Sequence, residues 1–196
     1  GNAVAGRPIP HSLSKTPEMI WLKSRTSADQ WVVGHKGLNG GTNPWHYWLK
    51  LQSTDAESNS INNWNDQAPT STHFIIDDDN RVNKDGDGFI AMLFASVDGI
   101  SKVGSYSGSD DEQTITTGFQ PRFVLIKGRG ASTNWLVLDT TRGWASGNDS
   151  YLYLNSNAAQ GTDHNFGAPT SNGFTVTGTS QHSGGSGNDF IYYAHA

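Results

Sequence analysis

The chain has 196 residues, a net charge of -5, no Cys, 34% hydrophobic residues, 23 Gly and seven Trp. That length holds one good core or two small ones. The missing cysteines exclude disulfides, thiol catalysis and Cys-ligated metals, and the negative charge argues against a nucleic-acid binder.

The predicted elements are short strands, because apolar and polar residues alternate and no ten-residue stretch holds a helical period free of Gly or Pro. In chain order they are 19–22, 31–33, 48–51, 74–76 and 89–95. A strand within 99–106 follows, then 114–116, 123–127, 135–138, 151–154, 174–177 and 190–193. Turn residues fill the gaps, among them Asn39-Gly40-Gly41, Asp85-Gly86, Ser107-Gly108, Asn172-Gly173 and Gly184-Gly185. Strands this short and this evenly spaced predict an all-β, antiparallel β-sandwich or barrel. No apolar run approaches the ~18 residues that cross a bilayer, and Lys and Arg are scattered singly, so no membrane insertion is expected.

The chain also reads as two sequence-related repeats. At an offset of 104, Pro17, Lys23, Arg25, Trp31 and Val33 meet Pro121, Lys127, Arg129, Trp135 and Val137. Leu49, Leu51, Ser53 and Ala56 meet Leu152, Leu154, Ser156 and Ala159. Pro-Thr-Ser at 69–71 recurs at 169–171, followed by Phe74 and Phe174. The expected division is 1–98 and 99–196, packed as one pseudo-symmetric unit, because each half alone is marginal in core size. The opening Gly1 and the absence of a counterpart to 101–106 in the first copy suggest a fragment of a longer chain.

The acidic loop from Asp77 to Gly88 is the sharpest local motif. Asn83, Asp85 and Asp87, followed by Gly88, mimic the first half of a calcium loop. Phe94 stands where the bidentate Glu belongs, so a solvated turn is the better reading. The seven His form no metal-binding spacing, and no metal or other cofactor is expected. Nucleophile signatures are absent. Asp66, Asp139, Asp149 and Asp163 are the carboxylates a glycosidase would need, but they sit in turn contexts, so no enzyme activity is expected. The Lys23/Lys127 and Arg25/Arg129 pairs read as scaffold, their stems covering Trp31 or Trp135 with the charge in water. The aromatics without a repeated counterpart, Trp45, Trp48, Trp64 and Trp144, are the ligand or partner candidates. Trp45 and Trp64 lie in polar segments that no strand buries. Their composition suits a sugar-stacking platform, a subunit interface or ordinary packing.

The phrases IPHSL, PEMIWLKSR, WVVGHKGLNG, GFIAMLFASVDGISKVGSYSG, GFQPRFVLIK and GFTVTG resemble a poorly characterised family of bacteriophage proteins. It is common in phages of marine and freshwater bacteria, cyanophages included. The resemblance spans the whole chain and carries no defined active site. It implies a jelly-roll or concanavalin-like sandwich, a virion location and a homo-oligomer, a trimer in the first instance, or contacts with other virion proteins. Two functions follow from it as expectations. One is a tail-fibre or receptor-binding module that attaches to host surface glycans. The other is a structural virion protein, a capsid decoration or fibre shaft segment. His35 departs from the Tyr more usual there, and the 77–88 loop is more acidic than the family pattern.

Overall fold

The computed structural model describes residues 1–196. The chain is all β apart from 6% helix, and its strand pairings are antiparallel, in a sandwich-like arrangement. It divides into two compact units. The first comprises 1–52 and 57–95, the second 53–56 and 96–196.

The first unit contains β1 (Arg7–Pro10), β2 (Met19–Ser24), β3 (Val32–His35), β4 (Tyr47–Lys50), β5 (Ser58–Asn59), β6 (His73–Ile76) and β7 (Phe89–Phe94). Five strands form a sheet in the order β5-β4-β3-β2-β7, and β1 pairs with β6 alone. Alternation explains the layering: Ile20 and Leu22 of β2 and Val32 of β3 turn to the same core as Phe74 and Ile76 of β6. Sequence alternation missed β1, because Pro8 and Pro10 flank Ile9; prolines are tolerated there since β1 is an edge strand. Between β6 and β7 lies one helical turn, α1 (Asn80–Asn83), whose first turn is capped by Asp79 accepting from the Arg81 amide at 2.8 Å.

The second unit contains β8 (Ser101–Ser107), β9 (Gln113–Thr116), β10 (Phe123–Gly128), β11 (Leu136–Asp139), β12 (Asp149–Tyr153), β13 (Gly161–His164), β14 (Pro169–Thr170), β15 (Gly173–Val176) and β16 (Asp189–His195). Its larger sheet runs β13-β12-β11-β10-β16-β8 and its smaller one β14-β15-β9. Val124, Ile126, Leu136, Phe190 and Tyr192 face Ile115, Phe174 and Val176 across the core.

Strand order recurs between the units. β2 pairs with β3 as Met19↔His35, and β10 with β11 as Phe123↔Asp139. β3 pairs with β4 as Val33↔Leu49, and β11 with β12 as Val137↔Leu152. Ile9↔Phe74 corresponds to Ile115↔Phe174. The turns after the second strand match as well. The Gly37 amide donates to His35 Nδ1 at 2.9 Å, and the Thr141 amide to Asp139 Oδ1 at 2.7 Å, so imidazole and carboxylate perform one turn-closing task. The units differ at one edge: β16 is covered by β8, whereas β7 has no neighbour on its outer side.

Candidate functional site

The four tryptophans expected at a binding face are core residues. Trp45, Trp48, Trp64 and Trp144 are 5%, 4%, 1% and 1% exposed, so none offers a ring face to a sugar or a partner. The reason lies in Gly34. A Cβ at that position in β3 would sit 2.6 Å from Trp45 and 2.9 Å from Trp64, so the missing side chain makes the floor on which both indoles rest, edge to face at 5.7 Å. At the matching position of β11 stands Leu138, itself buried. Trp144 packs on Phe174, and its Nε1 donates to the Gly167 carbonyl at 2.8 Å. Trp48 lies beneath the Arg81 guanidinium, 4.4 Å from its ring centre.

The calcium candidate does not assemble. Asn83 is buried, and its amide oxygen accepts from the Asn2 amide while its Nδ2 donates to the Val4 carbonyl, fastening the N-terminal segment to α1. Asp87 accepts from Ser24 Oγ at 2.7 Å, and the hydroxyls of Ser27 and Ser24 hold its carboxyl below the usual range. Asp85 is exposed on its own. No group of three His, Asp or Glu side chains converges as a metal site needs.

The repeated lysines behave differently from the expected wet scaffold. Lys127 is wholly buried, and its Nζ donates to the carbonyls of Thr54, Gly128 and Ala131 and to Thr133 Oγ1. Burial pulls its pKa down to about 8, opposed by the charge of Asp55. Lys23 performs the same turn-closing task with the Ser24 and Ser27 carbonyls while remaining half exposed. Arg129 pairs with Asp189. Trp135 is buried, but Trp31 is only partly so.

Of the four carboxylates read as turn residues, Asp139, Asp149 and Asp163 lie on β11, β12 and β13 instead. Asp149 is wholly buried and accepts from the amides of Ala145 and Phe166, so it ties two loops together. Asp139 closes the turn described above, and Asp66 lies 3.3 Å from His46 in the first unit. Asp163 alone joins an open constellation.

That constellation lies on β12 and β13, at the free edge of the larger sheet. The Tyr151 hydroxyl donates to Asp163 Oδ1 at 3.0 Å, and His164 Nδ1 lies 3.0 Å from the same oxygen. A Cβ at Gly161 would run into the Tyr151 ring, so glycine lets this ring lie across β13 toward Asp163. The His164 ring stacks on Phe166, which is buried beneath it. Tyr153 sits 5.3 Å from Tyr151 and 5.0 Å from His182, half exposed. The Asn134 amide donates to His182 Nδ1 at 3.4 Å, and Asn155 Nδ2 donates to Asn134 Oδ1 at 2.9 Å.

The electrostatics give each group a role. Burial, then the charges of His164 and Lys127, lower the pKa of His182. Neutral His182, accepting at Nδ1, carries its proton on Nε2 and presents it as a donor. Hydrogen bonds from His164 and Tyr151 keep Asp163 ionised below the usual carboxylate range. Burial and the Asp163 carboxylate push the Tyr151 phenol up to about 12. The surface thus combines the partly exposed ring of Tyr153, which packs on the core beneath it, a fixed anionic acceptor, a neutral imidazole donor and two amide side chains.

Comparison with known proteins adds a family. The family described as "Domain of unknown function (DUF7483)" matches residues 1–196. The chain belongs to the DUF7483 family. No curated protein and no solved structure matches it. For this DUF7483 domain, function therefore has to be argued from the chain's own surface. The sequence singled out none of Tyr153, His164 or His182. The usable signal was local: Tyr151-Leu152-Tyr153 on a strand, followed by Gly161-Thr162-Asp163-His164, a polar strand that begins on glycine.

Proposed function

We propose that the chain is a non-enzymatic attachment module of a phage virion, a tail-fibre or receptor-binding element that contacts host surface glycans through the β12–β13 surface of its second unit. The observation that carries this reading is the placement of the half-exposed Tyr153 ring beside His182, next to the Asp163 carboxylate and the Asn134–Asn155 amide pair. A pyranose stacks its C–H face on an aromatic ring while carboxylate, amide and imidazole groups take its hydroxyls. The ion and hydrogen-bond pairs already present hold these groups in place before a ligand arrives, which lowers the ordering cost of binding. The virion context rests on the sequence phrases, and the recurring strand register supports descent of the two units from one duplicated ancestor.

A glycan array with the purified chain, followed by host-adsorption assays with Tyr153→Ala and Asp163→Asn, tests the reading. Binding that falls tenfold or more in both variants, with thermal stability retained, is the expected result. Binding to no glycan, or adsorption indifferent to both substitutions, refutes it. A second reading, a structural virion protein acting through subunit contacts, draws on the uncovered β7 edge, where Ile90 and Met92 are 42% and 39% exposed.

A further inference from the structure

The two units provide an internal comparison of one sheet edge, covered and uncovered. β7 pairs with β2 as Ser24↔Phe89 and Met19↔Phe94, and β16 pairs with β10 as Gly128↔Phe190 and Phe123↔His195. Phe89, Ala91 and Leu93 therefore stand where Phe190, Tyr192 and Ala194 stand. The latter three are 0%, 4% and 0% exposed; the former three are partly or fully open. The difference is β8, which pairs along the whole of β16. Its Tyr106 stacks on Phe190 at 5.1 Å with planes 19° apart, and donates its hydroxyl to the Ser183 carbonyl at 2.8 Å.

At the corresponding place in the first unit is a cavity of about 360 Å³, whose lining includes Leu22, Phe74, Val82 and Phe89 together with the charged Arg7 and Asp87. Val82 corresponds to Ser183. Its amide donates to Asp79 as the Ser183 amide does to Ser180, and the next amide in each case bonds the same carbonyl. The end of the open strand position is marked too. The Gly1 amine donates to the Asp87 carbonyl, as the Gly108 amide does to the Asn188 carbonyl. A Cβ on Gly1 would strike the Lys84 carbonyl, as one on Gly108 would strike that of Gly185. Gly1 thus occupies the position that Gly108 holds directly after β8.

We propose that the β7 edge and its cavity form a strand-acceptor site, and that the occupant is an extended polypeptide segment with the side-chain chemistry of β8. It pairs antiparallel with β7 and ends beside Gly1. An aromatic ring fills the cavity over Phe89, its hydroxyl reaching the Val82 carbonyl. An uncovered edge with exposed Ile90 and Met92 is a pairing surface that folded proteins otherwise blunt, and strand addition supplies both main-chain bonds and a side-chain pocket. One detail sets the occupant apart from β8 itself. Gly104 is required on β8 because Tyr192 lies over it, 2.5 Å from where a Cβ would be. Ala91 replaces that tyrosine in the first unit, so the occupant can carry an aliphatic side chain at the residue facing Ala91.

The test places Ser-Lys-Val-Gly-Ser-Tyr-Ser directly in front of Gly1 of the full chain, with two further versions carrying Tyr→Ser or Gly→Val in the added strand. Hydrogen exchange at the Phe89–Phe94 amides and the particle mass in sedimentation are the readouts. Exchange slowed at least tenfold by the added strand, kept by Gly→Val, largely lost with Tyr→Ser, and with no change in particle mass, is the expected result. Exchange unchanged in every version overturns the proposal. So does a chain without the added strand whose β7 amides are already protected and whose mass halves on Met92→Lys, because a second copy would then be the occupant. The edge lies outside the β12–β13 surface, so failure here leaves the glycan reading standing, and the reverse holds as well.

Discussion

Replacing Lys127 with Met separates two opposing terms at one buried site. The ammonium is wholly buried, and three carbonyls and a hydroxyl take its protons. Methionine leaves the Thr54 carbonyl without this donor, at about 1–3 kcal/mol, and takes one of two donors from the Gly128 and Ala131 carbonyls, which keep the Thr133 hydroxyl and amide, at about 1 kcal/mol each. It also removes the burial of a charge. With the pKa moved from 10.5 to about 8, that burial costs about 3–4 kcal/mol, since each unit is worth about 1.4 kcal/mol. The two terms nearly cancel, so Lys127→Met should lie within about 2 kcal/mol of the wild-type chain at pH 7. The pH dependence has a definite sign. The folded-state pKa is depressed, so between about 8 and 10.5 the unfolded chain holds more protons and the burial cost is relieved as pH rises. From pH 7 to 9.5 the wild-type chain should gain up to about 2 kcal/mol relative to Lys127→Met. Urea unfolding followed by tryptophan fluorescence at both pH values measures the two differences. A wild-type stability that does not rise relative to Lys127→Met over this range refutes the buried, charged lysine.

Trp64→Ala and Trp45→Ala should each cost about 3–5 kcal/mol in urea unfolding, because each empties the space over Gly34; near-wild-type stability would contradict their core role. Gly104→Ala should destabilise by about 1–3 kcal/mol through the clash with Tyr192, whereas Gly86→Ala meets no neighbouring atom and should suffer only from its positive φ. Asp163→Asn should move the Tyr151 phenol down from about 12 without restoring an ordinary value, since burial, the larger cause, remains; ultraviolet difference titration reads this directly. Glycan binding that depends on ionised Asp163 should hold from pH 7 to pH 5 and fall only below about pH 4, because its folded-state pKa is lowered and the carboxylate protonates late.

The strand framework was legible because its signal is local. Ile20, Leu22, Val124 and Ile126 alternate with outward residues within single strands, and the twelve segments read from the sequence overlap β2, β3, β4, β6, β7, β8, β9, β10, β11, β12, β15 and β16. Burial of Trp45 and Trp64 was not legible, since both lie in polar stretches and their partner is the absent side chain of Gly34, on another strand. Lysine is rarely buried whole, so the repeated Lys23 and Lys127 gave no hint that one would close its turn from inside the fold. The β12–β13 surface was hidden for a related reason. Asp163 and His164 belong to a strand with no apolar alternation, and only the pairing of β13 with β12 sets them against Tyr151. Comparison of the two copies pointed toward unmatched residues, but it weighted tryptophan over the smaller aromatics and histidines that stand at the surface.

The most direct test of the attachment surface is to map, by chemical-shift changes in the isotopically labelled chain, where the strongest glycan from the array binds. Shifts centred on Tyr153, Asp163, His164 and His182 are expected, with the Trp45 and Trp64 indoles unmoved. Shifts centred anywhere else, or none at saturating glycan, would contradict it.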